Sequence, residues 1–322
     1  MFPSKENVTI CFAHAAYRMQ DRFELRKTGI RSFQVWNYDD FQKRIPEADV
    51  VVVSGMWKND LIVGASKLKF IQSISSGMDQ YSREQLAARS VRLASAAGVN
   101  ARAVAEHALA LILAVARRLP EARDNQHKKV WRGMIGDLTQ REDELGGKTV
   151  LIVGMGRIGA HLAKLCKAFD MKVIGIRQDP RKGTNGADAI HDMGELVKLV
   201  PQADFVALTC ALTPETTGLM SAAAFAAMKP TATFVNVARG KVADEAALIA
   251  TLKAGKIAAA AIDVTAEEPL PGPSPLWDLP NVFVTPHTAG ETRAYEDNVI
   301  DILLENLGRL WKGEKTLRNQ VL

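Results

Sequence analysis

The sequence is poor in cysteine, with only three in 322 residues. Cys11, Cys166 and Cys210 lie far apart in the chain, and no two of them form a CxxC pair. Disulfide frameworks and structural zinc sites need paired or clustered cysteines. We therefore expect no disulfide framework, no metal site and a reducing compartment, which we take to be the cytoplasm.

A long uninterrupted apolar run is also missing. The longest one falls within residues 103–116, where Glu106 and His107 interrupt it, and it is shorter than the ~20 residues that cross a membrane. The first twenty residues show no basic start followed by an apolar stretch, so they predict no signal peptide. The sequence therefore favours a protein without a membrane partner.

Basic runs typical of nucleic-acid binding are absent too. Lysine and arginine together number 41 against 36 for aspartate and glutamate, a formal net charge of +5. These basic residues are scattered and are not interleaved with aromatic residues, whereas a nucleic-acid interface concentrates its positive charge. We therefore expect no nucleic-acid partner, and a weak positive field that attracts small anions.

The chain does contain two series of short apolar runs separated by helix-like stretches. A chain of 322 residues suits two domains, because single cores stop growing near ~250 residues. The spacing predicts strands at 8–12, 50–53, 70–74 and 92–95, then at 149–153, 172–176, 205–208, 234–236, 259–263 and 282–285, with helices at 159–169 and 193–200. Strands and helices that alternate in this way predict an α/β fold with two Rossmann-like, doubly wound parallel sheets.

Three further segments complete the prediction. An Ala- and Leu-rich stretch at 100–119 predicts a long helix that Pro120 ends. This helix is apolar on most sides, so we expect it to be buried against a second subunit. The polar segment 121–144, which carries Trp131, predicts an arm, and residues 291–311 predict an amphipathic helix. The long helix and the arm together predict a homodimer.

The turn after the predicted strand 149–153 has the G-x-G-x-x-G pattern of a dinucleotide-binding site. The first glycine permits a tight turn, the second lets the backbone approach a pyrophosphate, and the third lets helix and strand pack closely. The helix that follows directs its first N–H groups towards the phosphates. The residues predicted to bind the cofactor here are Gly154, Met155, Gly156, Arg157, Ile158 and Gly159.

The residue at the end of the second strand of such a domain selects between NAD and NADP. Here it is Arg177, which suits a 2′-phosphate through charge-assisted hydrogen bonds. Arg181 and Lys182 add positive charge nearby, whereas Asp179 offers a carboxylate that suits the ribose hydroxyl of NAD. We predict a preference for NADP, with NAD as the alternative.

The last three predicted strands are each followed by a side chain suited to ketone reduction. Arg239, Glu268 and His287 occupy these positions. Reduction by hydride needs a cation that polarises the carbonyl, a proton donor for the forming alkoxide and a carboxylate that orients the donor. Because the carboxyl ends of parallel strands meet at one edge of the sheet, we predict that these three residues form the catalytic group.

These motifs resemble the D-isomer-specific 2-hydroxyacid dehydrogenase family, which includes glyoxylate/hydroxypyruvate reductases and phosphoglycerate dehydrogenase. The resemblance covers nearly the whole chain and rests on segments 98–106, 150–159, 212–219, 234–240, 261–271 and 284–290. It implies an NAD(P)-dependent enzyme that transfers a hydride between a nicotinamide cofactor and a small 2-keto or 2-hydroxy acid, such as glyoxylate or hydroxypyruvate.

The resemblance also implies residue roles. Arg239 would bind the substrate carboxylate and keto oxygen, and His287, paired with Glu268, would be the acid in reduction and the base in oxidation. The loop formed by Ser76, Gly77 and Met78 would hold the substrate carboxylate with backbone N–H groups. Asp263 would meet the nicotinamide carboxamide, and the further cofactor contacts implied are Cys210, Pro214, Val237, Ala238 and Gly290.

The implied domains are a substrate-binding domain at residues 1–98 and 291–322 and, inserted between them, a dinucleotide-binding domain at 99–290 that includes the helix and arm at 100–146. Two features leave room for interpretation. Arg177 departs from the usual family pattern, in which NAD-dependent members carry Asp. Trp57, in the loop after 50–53, is either a residue that narrows the substrate pocket or a core residue.

Two other functions remain as alternatives. One is an enzyme like formate or phosphite dehydrogenase, which Glu268 disfavours because formate dehydrogenases carry Gln at this position. The other is a non-catalytic NAD(H)-sensing protein like the corepressors that resemble this family, which the absence of interaction tails disfavours.

Overall fold

The computed structural model of the chain describes residues 2–322. Within them, the strands form two parallel sheets, one of five strands and one of seven. The strands are β1 (Thr9–Ala13), β2 (Arg31–Val35), β3 (Val50–Val53), β4 (Phe70–Ser73), β5 (Arg92–Ala94), β6 (Thr149–Val153), β7 (Lys172–Ile176), β8 (Ala189–His191), β9 (Phe205–Leu208), β10 (Thr233–Asn236), β11 (Ala259–Ile262) and β12 (Val282–Val284).

The helices are α1 (Met19–Glu24), α2 (Tyr38–Arg44), α3 (Leu61–Gly64), α4 (Arg83–Ala88), α5 (Ala101–Ala116), α6 (Leu119–Lys128), α7 (Arg157–Ala168), α8 (Leu196–Leu199), α9 (Ala222–Ala226), α10 (Glu245–Lys253) and α11 (Tyr295–Trp311). Helices connect most of the successive strands, while α5 and α6 lie between the two sheets in the chain and α11 follows the last strand. No helix within residues 2–322 is both long enough and apolar enough to cross a membrane.

Both sheets are doubly wound. The strand orders are β2-β1-β3-β4-β5 and β12-β11-β10-β9-β6-β7-β8, and neighbouring strands run parallel. In each sheet the winding reverses beside the first strand, at β1 and at β6, which creates the crevice where ligands bind in such folds. The predicted fold class is confirmed.

The chain divides into two compact units. The first runs to Asn100 and resumes at Thr292–Leu322, and the second is Ala101–Glu291. The second unit is thus inserted into the first, with bounds within two residues of the predicted ones.

The C-terminal helix α11 forms part of the core of the first unit. Apolar residues of α11, including Val299 and Leu303, pack with Phe12 of β1 in one core cluster. A fully buried amide pair joins the helix to the sheet, because Asn306 Nδ2 donates to Gln72 Oε1 at 3.0 Å. Buried amides need such hydrogen-bond partners, so α11 is fixed to the sheet of this unit.

Trp57 belongs to the core of the first unit. It is 3% exposed, and its ring lies 5.8 Å from that of Tyr81. The indole Nε1–H donates to Asn59 Oδ1 at 3.1 Å, which satisfies the polar atom of the buried ring. The structure therefore favours the core interpretation of this residue.

The prediction that one helix extends to Leu119 and is ended by Pro120 is wrong. α5 ends at Ala116, and Arg118 adopts a left-handed conformation with φ of 49°. Pro120 instead lies in the first turn of α6, where proline costs nothing because that N–H has no partner within a helix. The predicted arm therefore begins with a helix, which its polar sequence did not indicate.

Candidate active site

The glycine-rich turn is shaped by two close backbone approaches. Gly154 has a φ of 111°, and a Cβ added there would lie 2.5 Å from the backbone N of Cys210. A Cβ on Gly159 would lie 2.4 Å from the carbonyl oxygen of Gly154. A Cβ on Gly156, in contrast, meets nothing within 4 Å. The close backbone approaches at the first and third positions therefore require glycine. The second glycine faces open space, as a pyrophosphate-binding turn requires.

A cavity of about 480 Å³ opens beside this turn, at the carboxyl ends of the adjacent strands β6 and β9. Its volume is in the range of cofactor and ligand pockets. Five of the predicted cofactor residues line it, namely Gly154, Met155, Gly156, Arg177 and Cys210. Pro214 lies between the lining residues Thr213 and Glu215. The residues of the turn therefore fit a bound dinucleotide.

Burial raises the pKa of the Cys210 thiol to about 11. At neutral pH the side chain is therefore a protonated, weakly polar wall of the cavity.

Three threonines that line the cavity, Thr209, Thr213 and Thr216, were not predicted from the sequence. Thr209 Oγ1 donates to the carbonyl oxygen of Gly154 at 2.8 Å, which joins the end of β9 to the glycine turn. Thr216 Oγ1 donates to the carbonyl oxygen of Ala211 at 2.7 Å. Thr216 lies in segment 212–219, which resembles a family motif, but the motif does not say which hydroxyl shapes the cavity. Thr209 lies outside every such segment.

The far end of the cavity carries a cluster of charges from the loop after β7. Arg177 Nη1 donates to the carbonyl oxygens of Lys182 and Gly183, at 3.2 and 2.9 Å. Asp179, which also lines the cavity, is bound by Arg181, whose Nε lies 2.8 Å from Oδ1. The hydrogen bonds from this guanidinium lower the pKa of Asp179 below its ordinary value. Three cations thus accompany one carboxylate that is already paired.

Glu268 and His287 are in contact. Glu268 Oε2 lies 2.6 Å from Nδ1 of His287, and its other oxygen accepts the backbone N–H of Thr265 at 3.1 Å. Because a carboxylate only accepts hydrogen bonds, Nδ1 carries the proton. Nε2 is therefore the ring atom that can exchange a proton with a substrate. Both side chains are partly exposed, so a substrate can reach them.

Arg239 stands on the neighbouring loop. The buried Asn236 side chain shapes this loop, since Oδ1 accepts the N–H of Ala238 and Nδ2 donates to the carbonyl oxygen of Arg239. Arg239 itself is exposed, and its Nη1 donates to the carbonyl oxygen of Ala238 at 2.7 Å. Most of its guanidinium donors remain available to a carboxylate.

A close backbone contact joins the Arg239 loop to the Glu268 loop. A Cβ on Gly240 would fall 1.9 Å from the carbonyl carbon of Thr265, so only glycine fits after Arg239. Since Thr265 also donates to Glu268, the two loops form one packed structure at the carboxyl edge of the sheet.

The remaining predicted residues occupy several places. Val237 and Ala238 are buried just after β10, and Asp263 is buried just after β11. Gly290 follows β12 in the second unit, whereas Ser76, Gly77 and Met78 follow β4 in the first. Ser76 and Gly77 are exposed, and Ser75 Oγ donates to the carbonyl oxygen of Gly77 at 3.0 Å. Among residues 2–322, no group of three or more His, Cys, Asp or Glu side chains is arranged to hold a metal ion.

Residues 109–289 match the family model described as D-isomer specific 2-hydroxyacid dehydrogenase, NAD binding domain. The chain belongs to the D-isomer specific 2-hydroxyacid dehydrogenase family. The second unit, with its glycine turn, is the NAD-binding domain of that family, and its ligand is a nicotinamide cofactor.

Individual relatives agree with this assignment. The glyoxylate reductase/hydroxypyruvate reductase of Mus musculus is 33% identical over 289 residues, which cover 87% of this chain and 88% of the mouse protein. The D-3-phosphoglycerate dehydrogenase of Archaeoglobus fulgidus is 35% identical over 280 residues, 85% of this chain but 52% of that protein. The chain thus spans about half the length of the phosphoglycerate dehydrogenases that it matches.

A solved structure shows the same fold over nearly the whole chain. The D-isomer specific 2-hydroxyacid dehydrogenase family protein from Aeromonas salmonicida superposes with a TM-score of 0.85 at 29% identity. The alignment covers 98% of this chain and 99% of that one.

The glycine turn gives a first prediction. Gly156→Ala should leave the fold intact, because the new methyl meets no protein atom. It should raise the dissociation constants of NADH and NADPH at least about tenfold, since the methyl occupies the space of the pyrophosphate. Titration calorimetry measures the affinity, and Gly136→Ala, on the exposed arm, is the control. Unchanged affinity in Gly156→Ala would contradict this placement of the cofactor.

Proposed function

We propose that this protein is an NAD(P)-dependent 2-ketoacid reductase, or D-2-hydroxyacid dehydrogenase, acting on a small 2-keto acid such as glyoxylate or hydroxypyruvate. The observation that supports this most directly is the 2.6 Å contact between Glu268 and His287. The loop of Glu268 packs against the loop of Arg239, and all three loops follow strands at the edge of the sheet where ligands bind in such folds.

Arg239, His287 and Glu268 have different roles in the proposed reaction. A bound nicotinamide cofactor supplies the hydride in reduction and takes it in oxidation. The Arg239 guanidinium binds the substrate carboxylate and polarises the keto oxygen. His287 Nε2–H gives its proton to the forming hydroxyl group, and Glu268 keeps the ring oriented through Nδ1.

The relatives support a small 2-keto or 2-hydroxy acid as the substrate. The mouse glyoxylate reductase/hydroxypyruvate reductase is 33% identical over 87% of this chain. Glyoxylate and hydroxypyruvate are therefore the first substrates to test, with pyruvate and phenylpyruvate beside them. The cysteines are free thiols, which suits the cytoplasm as the location that we propose.

NADPH is the cofactor that we propose this protein prefers. Arg177 and Lys182 line the far end of the cavity, and Asp179, which lines it too, is already paired with Arg181. A dianionic 2′-phosphate gains charge-assisted hydrogen bonds in such a cluster, whereas a ribose hydroxyl needs a free carboxylate.

A homodimer is the assembly that we propose. Four large apolar side chains lie on and beside the arm with little cover, at Val130, Trp131, Met134 and Leu138, and Trp131 is 98% exposed. Apolar side chains grouped in this way are typical of an interaction surface. In a symmetric dimer the second copy of the chain presents the same apolar surface, so that the two surfaces cover each other.

The catalytic proposal predicts the effect of removing the proton donor. Wild-type protein should oxidise NADPH in the presence of glyoxylate or hydroxypyruvate, and His287→Ala should lower kcat by about 10²–10⁴-fold, as expected for loss of a general acid. Absorbance at the nicotinamide band gives the rate. His161→Ala, an exposed histidine of α7, should turn over like wild type. Cofactor binding without turnover of any keto acid would instead support the NAD(H)-sensing alternative.

The cofactor proposal predicts a selective loss. Arg177→Ala should lower kcat/KM for NADPH about tenfold or more, since one charge-assisted partner of the phosphate is lost, while kcat/KM for NADH changes little. Lys253→Ala, exposed at the end of α10, controls for the change in net charge. A wild-type protein that prefers NADH would refute the role proposed for Arg177.

The dimer proposal predicts the mass in solution. Light scattering behind a sizing column should give twice the mass of the 322-residue chain. Replacing Trp131 and Met134 by serine should weaken the dimer, because the apolar contact area is lost. Val63→Ser removes another exposed apolar side chain, in the first unit, and should not. A wild-type monomer would rule the proposal out.

A further inference from the structure

A hydrogen-bonded chain runs from the long helix α5 to the loop that carries His287. His107 Nε2 lies 2.9 Å from Thr285 Oγ1, and Thr285 Oγ1 lies 2.6 Å from Asp263 Oδ1. The same histidine nitrogen is 3.5 Å from Asp263 Oδ1. The residues of this chain all belong to the second unit.

The direction of each hydrogen bond follows from the number of protons available. The Asp263 carboxylate accepts two backbone N–H groups, Thr288 N to Oδ1 at 3.0 Å and Ala289 N to Oδ2 at 2.9 Å. It is therefore an acceptor for Thr285 as well, so the single hydroxyl proton of Thr285 points at Asp263. Thr285 Oγ1 then accepts from His107, which must carry its proton on Nε2.

These bonds hold the backbone on both sides of His287. Thr285 lies two residues before it, and Thr288 and Ala289 follow it directly. His287 itself has a φ of 55°, a left-handed conformation that is costly for a residue with a side chain. Its own N–H donates to the carbonyl oxygen of Asp263 at 2.8 Å. A conformation of this kind persists only where the surroundings impose it.

We propose that His107 and Thr285 are positioning residues, which act through the buried Asp263 carboxylate to hold His287 in its left-handed conformation against Glu268. The role in turnover rests on the proposed function, whereas the hold on the loop does not. Asp263 also acts in a way that the sequence did not suggest. Three of its acceptor positions are already filled by Thr285, Thr288 and Ala289, so its first task is to shape the loop.

Thr285 offers the sharpest test, because valine has nearly the same shape and lacks the hydroxyl. Thr285→Val should lower kcat about tenfold or more, as a misplaced catalytic group does, with the cofactor dissociation constant unchanged within about twofold. Thr285→Ser restores the hydroxyl and should recover most of the turnover. His107→Leu should lose activity to a similar extent, and combining it with Thr285→Val should add little, because both changes break the same chain.

A second measurement is independent of turnover. Amide hydrogen exchange of residues 285–291 should speed up in Thr285→Val and in His107→Leu, since the loop has lost an anchor. Thr251→Val, at a buried threonine of α10, should leave both exchange and kcat at wild-type values. If wild type turns over no keto acid, the proposed function fails, and the exchange data still decide the positioning role.

Two results would overturn the inference. One is wild-type exchange of residues 285–291 in both variants. The other is a Thr285→Val variant that keeps the wild-type kcat and loses activity only because its cofactor dissociation constant rises. That result would make Thr285 a cofactor-binding residue instead.

Discussion

The parallel register of β10, β11 and β12 is the constraint on which the candidate active site depends. Asn236 is paired with Ile262, and Ile262 with Val284, so the three strands end side by side. The loops that follow them carry the three predicted catalytic side chains. Because buried backbone hydrogen bonds fix the ladder, each loop begins from a set position. The close contact between Gly240 and Thr265 and the hydrogen bonds of the Asp263 carboxylate further restrict the conformations of those loops.

The sequence predicted the central strands well but missed two of the four edge strands. β3, β6, β7 and β9 have the predicted bounds, because strands buried on both faces appear as continuous apolar runs. The edge strands β2 and β8 were missed. Their residues alternate in burial or are only partly buried, so their apolar signal is weak. The polar helix α6 was missed for the same reason, since it buries no side chain and its apolar periodicity is too faint to detect.

The site shows a similar division. Arg239, Glu268 and His287 could be predicted because each is a chemically distinctive residue directly after a predicted strand. The glycine turn could be predicted from its spacing and context. The bond between His107 and Thr285 joins residues 178 positions apart, and nothing local in either segment marks it. In the sequence, His107 is only an interruption of an apolar helix. Tertiary packing alone brings it to the loop.

The insertion of one unit into the other has a consequence for biosynthesis. The core of the first unit needs α11, whose Asn306 meets Gln72 of β4 across 234 positions of sequence. The ribosome therefore synthesises the whole nucleotide-binding unit before it synthesises α11, which completes the core of the first unit. Folding during translation should run in the opposite order to the usual one, and the nascent chain should become able to bind a dinucleotide before its opening strands can pack against α11.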